Sequence, residues 1–151
     1  MKLREFEDYG ITDFTPREVS AVGSHIKDLQ LSLMVAAQRF REDLDRRVKI
    51  LSLTGGGHVA GSYHYMGRAM DVFLYAKDGE ILIGDVFKAA LNAGFNGVGI
   101  YWNGKCWSFH LDVRSKLGFW SAYKKKDERK WTYIPLTLDV KTYKKLRDMR
   151  F

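Results

Sequence analysis

Apolar side chains recur at steps of three and four in Ile26, Leu29, Leu33, Ala37, Phe40 and Leu44, while Lys27, Asp28, Gln38, Arg41, Glu42 and Asp45 fill the other side. That spacing predicts one amphipathic helix over 24–46. Ahead of it, Thr15-Pro16-Arg17-Glu18 has a capping hydroxyl, a proline suited to the first helical position and a glutamate three residues on, so a short helix starts at Pro16. Val48 to Leu53 alternates as a strand and runs into Thr54-Gly55-Gly56-Gly57-His58, where three glycines predict a loop. Ala69 to Tyr75 reads as a buried strand carrying one isolated acid, Asp71, and Lys77-Asp78-Gly79-Glu80 as a turn. Gly84 to Gly94 is a second helical stretch, with Val86, Phe87, Ala90 and Leu91 inward and Gly94 as its stop. Phe95 to Trp102 is a glycine-rich strand, Asn103-Gly104 a hairpin turn, and Lys105 to Arg114 the returning strand. Trp131 to Ile134 follows a basic loop, and Lys141 to Arg150 is a candidate final helix. The order predicts an α+β fold with a small antiparallel sheet.

With 151 residues and no linker rich enough to divide it, the chain reads as a single domain. No apolar run approaches the roughly 20 residues that cross a bilayer. Met1 to Asp8 mixes charges of both signs and lacks the apolar stretch of a secretory signal, so synthesis in the cytoplasm is the expectation. Cys106 is the only cysteine, which excludes an intramolecular disulfide and a thiolate cluster and leaves histidine and carboxylate as metal ligands. A net charge of +7 favours a polyanionic partner, whether nucleic acid, a membrane surface or an anionic wall polymer. Much of that excess lies in Lys124-Lys125-Lys126 and in 141–150, where a solvated basic face explains it equally well.

In the returning strand, alternation puts Trp107, Phe109, Leu111 and Val113 on the core face, and Ser108, His110 and Asp112 on the other, toward water or a cleft. Burying Asp71 in its apolar strand costs several kcal/mol unless it is paired or metal-bound. Arg68 or Arg114 could pair with it. So could a cation shared with His64 and His110, since two imidazoles and a carboxylate with an open fourth position make a catalytic zinc arrangement. From the residues alone both remain open.

Ser62-x-His64-x-x-Gly67-Arg68-Ala69-x-Asp71 resembles the SxHxxGxAxD signature of the zinc D-alanyl-D-alanine carboxypeptidases and L-alanyl-D-glutamate endopeptidases of the hedgehog/DD-peptidase fold. Phe109-His110-Leu111-Asp112-Val113-Arg114 resembles a second motif of one subgroup, Gly97-Val98-Gly99-Ile100-Tyr101 the strand before it, and Trp120 a tryptophan common there. The resemblance covers roughly 14–120, with 121–151 as a basic extension. It implies helices packed on one side of the sheet, Zn2+ held by His64, Asp71 and His110, and hydrolysis of a peptide bond in peptidoglycan stem peptides.

The chain departs from that pattern in two places. Many relatives follow the first strand with Ser-Gly-Tyr-Arg, whereas here Thr54 to His58 contains no arginine, leaving His58, Arg68 or Arg114 as donors toward substrate. Several relatives place an acid or histidine just before the last zinc ligand as general base, and here that stretch is Trp107-Ser108-Phe109. Asp112 is then either the base or an outer hydrogen-bond partner that holds His110. Ser62, Tyr63 and Arg68 are candidate substrate contacts, Tyr65 flanks a ligand, and Trp102, Trp107 and Trp120 are expected in core or cleft wall. The resemblance suggests a phage-type endolysin, freed by a holin-type partner or carried in a virion. A noncatalytic wall-binding or virion module with the same fold is the alternative. Nucleic-acid binding has charge in its favour but no recognition motif.

Overall fold

The computed structural model describes residues 1–75, 82–103, 106–124 and 129–135. The expected turn at 77–80, Gly104, Lys125, Lys126 and the expected helix at 141–150 lie outside the described residues. Four α-helices are described, α1 (Leu3–Asp8), α2 (Pro16–Ala21), α3 (Leu31–Leu44) and α4 (Ile83–Ala93), with a 3-10 turn at Ile26–Asp28. Six strands follow the order β1 (Val48–Ser52), β2 (Ala69–Leu74), β3 (Gly97–Trp102), β4 (Trp107–Asp112), β5 (Gly118–Tyr123) and β6 (Thr132–Pro135). They form one sheet in the order β1-β2-β4-β3-β5-β6.

Local chemistry accounts for several boundaries. The Thr15 hydroxyl accepts the Glu18 amide at 3.2 Å and the Glu18 carboxylate accepts the Thr15 amide at 2.8 Å, so the capping box that starts α2 is formed. α4 ends on Gly94, whose φ of 100° is the left-handed conformation a glycine adopts without strain. α1 has no apolar period to announce it; it is held by buried Phe6.

Helix 24–46 is corrected: only Leu31–Leu44 is α-helical. The segment before it turns as a 3-10 helix and then extends, because Gln30 serves another loop. Its amide donates to the Gly67 carbonyl at 2.9 Å and its side-chain amide to the Met66 carbonyl at 3.2 Å. Leu29 remains buried, so the step of three persists in the sequence although the helix does not.

Gly67 completes the clamp. Its φ is +65°, and a Cβ there would stand 2.0 Å from the Asp28 carbonyl oxygen. Gly67→Ala is expected to destabilise the protein by roughly 2–3 kcal/mol, read as a lower urea midpoint, because both the backbone conformation and the close approach forbid a side chain.

The sheet is mixed, a second correction. β2 and β3 flank β4 antiparallel, whereas β5 runs parallel to β3. β4 ends beside the start of β3, with Asp112 opposite Gly97, and β5 begins at that same end, with Gly118 opposite Gly97. A strand added there to the free edge of β3 must run with it. Asn96 secures the crossing: its carbonyl accepts the Gly118 amide at 2.8 Å and its side chain donates to the Arg114 carbonyl at 2.8 Å.

Alternation along the strands divides the sheet into two chemically different faces. Val72, Leu74, Val98, Ile100, Phe109 and Leu111 join Leu33, Met34, Phe40, Val86, Phe87 and Ala90 of α3 and α4 in one core. Trp107 and Val113 pack against this core, as alternation requires. Asp71, His110 and Asp112 are carried on the opposite face.

Candidate metal centre

Register brings the chemistry together. Asp71 on β2 is the cross-strand partner of His110 on β4, and His110 is in turn opposite Gly99 on β3. His64 arrives from a tightly turned loop in which the amides of Ser62, Tyr65, Met66 and Gly67 bond back to the carbonyls of Val59, Ser62, Tyr63 and His64. That loop buries His64 to 2% exposure above the sheet.

Three atoms then form a triangle. His64 Nε2 lies 3.2 Å from His110 Nδ1, His110 Nδ1 lies 3.1 Å from Asp71 Oδ1, and His64 Nε2 lies 3.4 Å from the same oxygen. A tetrahedral ion with bonds of about 2.0–2.1 Å needs ligand atoms about 3.3–3.4 Å apart. The outer hydrogen bonds fix what each atom presents. His64 Nδ1 is 2.7 Å from the Leu53 carbonyl, which can only accept, so Nδ1 carries the proton and Nε2 offers a lone pair. His110 Nε2 is 3.0 Å from Asp112 Oδ2, also an acceptor, so Nδ1 of neutral His110 offers a lone pair as well. Two imidazole nitrogens and a carboxylate oxygen thus stand within 3.4 Å of one another, a donor set that could hold a cation.

Asp112 is where the expectation of a cleft-facing acid fails. It lies on the sheet face expected for it, yet is 0% exposed. Its Oδ1 accepts Arg114 Nε–H at 2.7 Å and the Arg114 amide at 3.1 Å, and its Oδ2 accepts Arg114 Nη2–H at 2.5 Å and His110 Nε2–H. Gly97 makes the space, since a Cβ there would stand 2.2 Å from Asp112 Oδ2. Of the two roles the sequence leaves open, this geometry fits the one that holds His110. Both oxygens are occupied, and none is turned to the cleft as a base would need.

The charges follow from these contacts. Burial alone would raise the Asp112 pKa, but the hydrogen bonds from Arg114 and His110 prevail and hold it at about 2. For Asp71, burial is again opposed by hydrogen bonds and charge from His110 and His64, and its carboxyl is held well below the usual range. His110 is pushed up: burial would lower it, but the carboxylates of Asp112 and Asp71 prevail. Arg114→Met is expected to cost about 3 kcal/mol, measured by denaturant unfolding, because it strands a buried carboxylate. Lysine at 114 is expected to restore only part of this, lacking the fork. In the wild type, that contribution of Asp112 is fully present above its unfolded pKa of 3.8 and is lost as pH falls through about 2.

His58, His64 and Asp71 also form a group whose ligand atoms lie within 4.8 Å of one another and could hold a metal ion. The His58 ring, however, stacks on His64 with centroids 3.9 Å apart and planes 4° from parallel. An ion in the plane of one ring lies far from the plane of the other, and imidazole lone pairs are in-plane, so the two cannot share it as they stand. His110 crosses His64 at 69°, and their planes do intersect. The His58 Nε2 lies 3.0 Å from the Gly55 carbonyl and 3.1 Å from the Ser52 hydroxyl. The Gly55 carbonyl accepts, so Nε2 carries the proton and Nδ1 is the basic nitrogen.

A cleft of about 800 Å³ opens over this centre, lined by His58, Ser62, Tyr63, His64, Asp71 and His110 together with Arg114 and Trp120. Ser62 and Tyr63 are therefore placed as expected. Arg68 is not among the lining residues; its guanidinium donates to the Val113 carbonyl at 2.6 Å and lies over the Tyr63 ring. Neither Arg68 nor Arg114 pairs with Asp71, because each is directed elsewhere. Arg114 is held between the rings of Tyr63 and Trp120, 5.0 and 5.1 Å from their centroids. Trp102 packs against Trp107 outside the cleft, with the rings tilted by 43°. Tyr65 accepts the His58 amide at 2.9 Å. Ser108 lines the cleft, as alternation places it, and so do Tyr101, Trp131 and Tyr133, to which the sequence assigned no role there. Alternation from Gly97 and Gly99 marks Tyr101 for this face; only the pairing of β5 with β6 brings in the other aromatics.

Compared with known proteins, the chain matches no family model, no curated protein and no solved structure. The reading of the site therefore rests on its geometry and on its motifs. Among the described residues no helix is long and apolar enough to cross a membrane.

Proposed function

We propose that His64, Asp71 and His110 hold a zinc ion and that the protein is a peptidase cleaving the stem peptides of peptidoglycan. The observation that carries this is the triangle of lone pairs 3.1–3.4 Å apart, its two imidazoles each aimed by an outer hydrogen bond, at the floor of an open cleft. The resemblance of the two motifs to the zinc carboxypeptidases and endopeptidases of the cell wall supplies the substrate class.

Zinc in that position would supply Lewis acidity, activating water at neutral pH and polarising a carbonyl. The chain's own residues supply the rest. Asp112, fixed by Arg114, keeps the His110 proton on Nε2 and so keeps Nδ1 available. The Leu53 carbonyl does the same for His64. His58, with its proton on Nε2 and a basic Nδ1, is the cleft group suited to take a proton from the attacking water, replacing the carboxylate that several relatives use. Asp71 is the only carboxylate among the described residues lining the cleft, and as a ligand it is spoken for. Ser62 accepts the His64 amide at 3.3 Å and lines the cleft where substrate backbone would pass. Positive charge draws the protein to anionic wall polymers. An endolysin freed by a membrane-permeabilising partner, or carried in a virion, fits this reading.

The missing loop arginine and the absence, among the described residues, of a cleft carboxylate other than Asp71 favour a second reading, a noncatalytic wall-binding module with the same site. Incubating zinc-loaded protein with purified peptidoglycan and sequencing the released termini by mass spectrometry separates the two. New amino termini at one bond type, lost on chelation, are expected; binding without release would establish the module instead.

A further inference from the structure

Gly99 sits beside His110 on β3, and its missing side chain has a use beyond tolerance. A Cβ there would stand 2.5 Å from both Cε2 and Nε1 of Trp120. The indole therefore crosses over the strand at Gly99 and lies against His110, with centroids 5.2 Å apart and planes tilted by 47°. In that position its Nε1–H donates to the Tyr101 hydroxyl oxygen at 2.9 Å. Tyr101 is further fixed by edge-on contacts with Trp131 and Tyr133, at 5.0 and 6.2 Å between centroids. Tyr101 lines the cleft with Asp71 and His110; its hydroxyl oxygen accepts from Trp120, so its own proton is the one it can give, and in the free protein that proton faces Tyr133.

We propose that Tyr101 is a catalytic residue whose hydroxyl donates a hydrogen bond to the carbonyl oxygen of the scissile peptide as that oxygen gains negative charge, and that Trp120 is the positioning residue that aims it. The inference rests on the peptidase reading and adds the donor that the missing loop arginine leaves unassigned. A phenol suits this role because it is neutral, it must part with no proton, and it is preorganised before substrate arrives. Burial pushes its pKa well above the ordinary value against the hydrogen bond from Trp120, and Tyr133 and the negative charge of Asp71 add to this, so the phenol of the metal-free protein is neutral. No covalent bond to the tyrosine is formed or broken.

The test uses zinc-loaded full-length wild type, Tyr101→Phe, Trp120→Phe and the double variant, with two readouts. On purified peptidoglycan, Tyr101→Phe is expected to lower kcat about 10²-fold with KM within about twofold. Trp120→Phe is expected to lower kcat about tenfold, and the double variant to be no slower than Tyr101→Phe, since the indole acts through the phenol. Independently of turnover, inorganic phosphate, a tetrahedral oxyanion, is titrated calorimetrically, and Tyr101→Phe is expected to weaken its binding about tenfold while zinc affinity is unchanged. A Tyr101→Phe variant that cleaves and binds phosphate as the wild type does overturns the inference and leaves the peptidase reading intact. A wild type that binds phosphate but cuts nothing overturns the peptidase reading, and the phosphate difference still decides whether Tyr101 is an oxyanion donor. A wild type that does neither overturns both.

Discussion

Asp71→Ala is expected to abolish stoichiometric zinc binding, whereas His58→Ala is expected to retain it. Structural zinc sites are worth about 10–16 kcal/mol over four ligands, so losing one ligand costs roughly 3 kcal/mol or more, about 10²–10³-fold in affinity. Asp71 stands to cost at least that, because it is the only negative charge in the triangle and its carboxyl is held ionised by His110 and His64. His64→Ala and His110→Ala are expected in the same range. Asp112→Ala should fall between the ligands and His58, at about 10–100-fold, since it acts by holding His110 rather than by touching the ion. Competition with a fluorescent chelator reads all five. The order matters more than any single value: the stacked ring of His58 predicts the smallest loss, and a His58→Ala loss equal to that of Asp71→Ala would transfer the site to the other triad.

Zinc and acid are expected to compete at His110, with opposite effects of pH on the two forms of the protein. In the metal-free protein Asp112 and Asp71 push the His110 pKa above its ordinary 6.5 despite burial. The folded state therefore binds the proton more tightly than the unfolded chain, and this contribution is fully present below pH 6.5 and lost as pH rises through the folded value. Zinc needs the same nitrogen bare, so its affinity should fall about tenfold for each pH unit below the His110 pKa and level off above it. Thermal unfolding against pH, with excess zinc and with excess chelator, should give melting temperatures that separate as pH rises. Parallel curves would mean that His110 is not where the proton and the metal meet.

The sequence carried the site further than it carried the fold around it. Asp71 was conspicuous because a carboxylate in Ala69-Met70-Asp71-Val72-Phe73 must have a partner, and the two-residue period of Trp107 to Asp112 put His110 on its side of the sheet. The register that sets Asp71 opposite His110 was not written in either segment; it is fixed by pairing over some forty residues of chain. Asp112 was placed on the correct face but expected to meet water or a cleft, because nothing local shows that Gly97 opens a space for it or that Arg114 folds back as a fork. The helix over 24–46 was overextended for a related reason. A residue pattern at steps of three cannot distinguish a helix from a 3-10 turn whose next residues clamp the loop bearing His64. No alternation announces β5 in Phe119-Trp120-Ser121-Ala122-Tyr123, where Ala122 is buried on the site face while Phe119 packs on the core.

The central claim is that one ion sits between His64, Asp71 and His110. Anomalous diffraction at the zinc edge from crystals grown with zinc tests it most directly. A single strong peak is expected within about 2.0–2.2 Å of His64 Nε2, His110 Nδ1 and Asp71 Oδ1, with His58 still stacked and outside bonding distance. A peak bonded to His58 in place of His110, or no peak in the cleft at all, would contradict it.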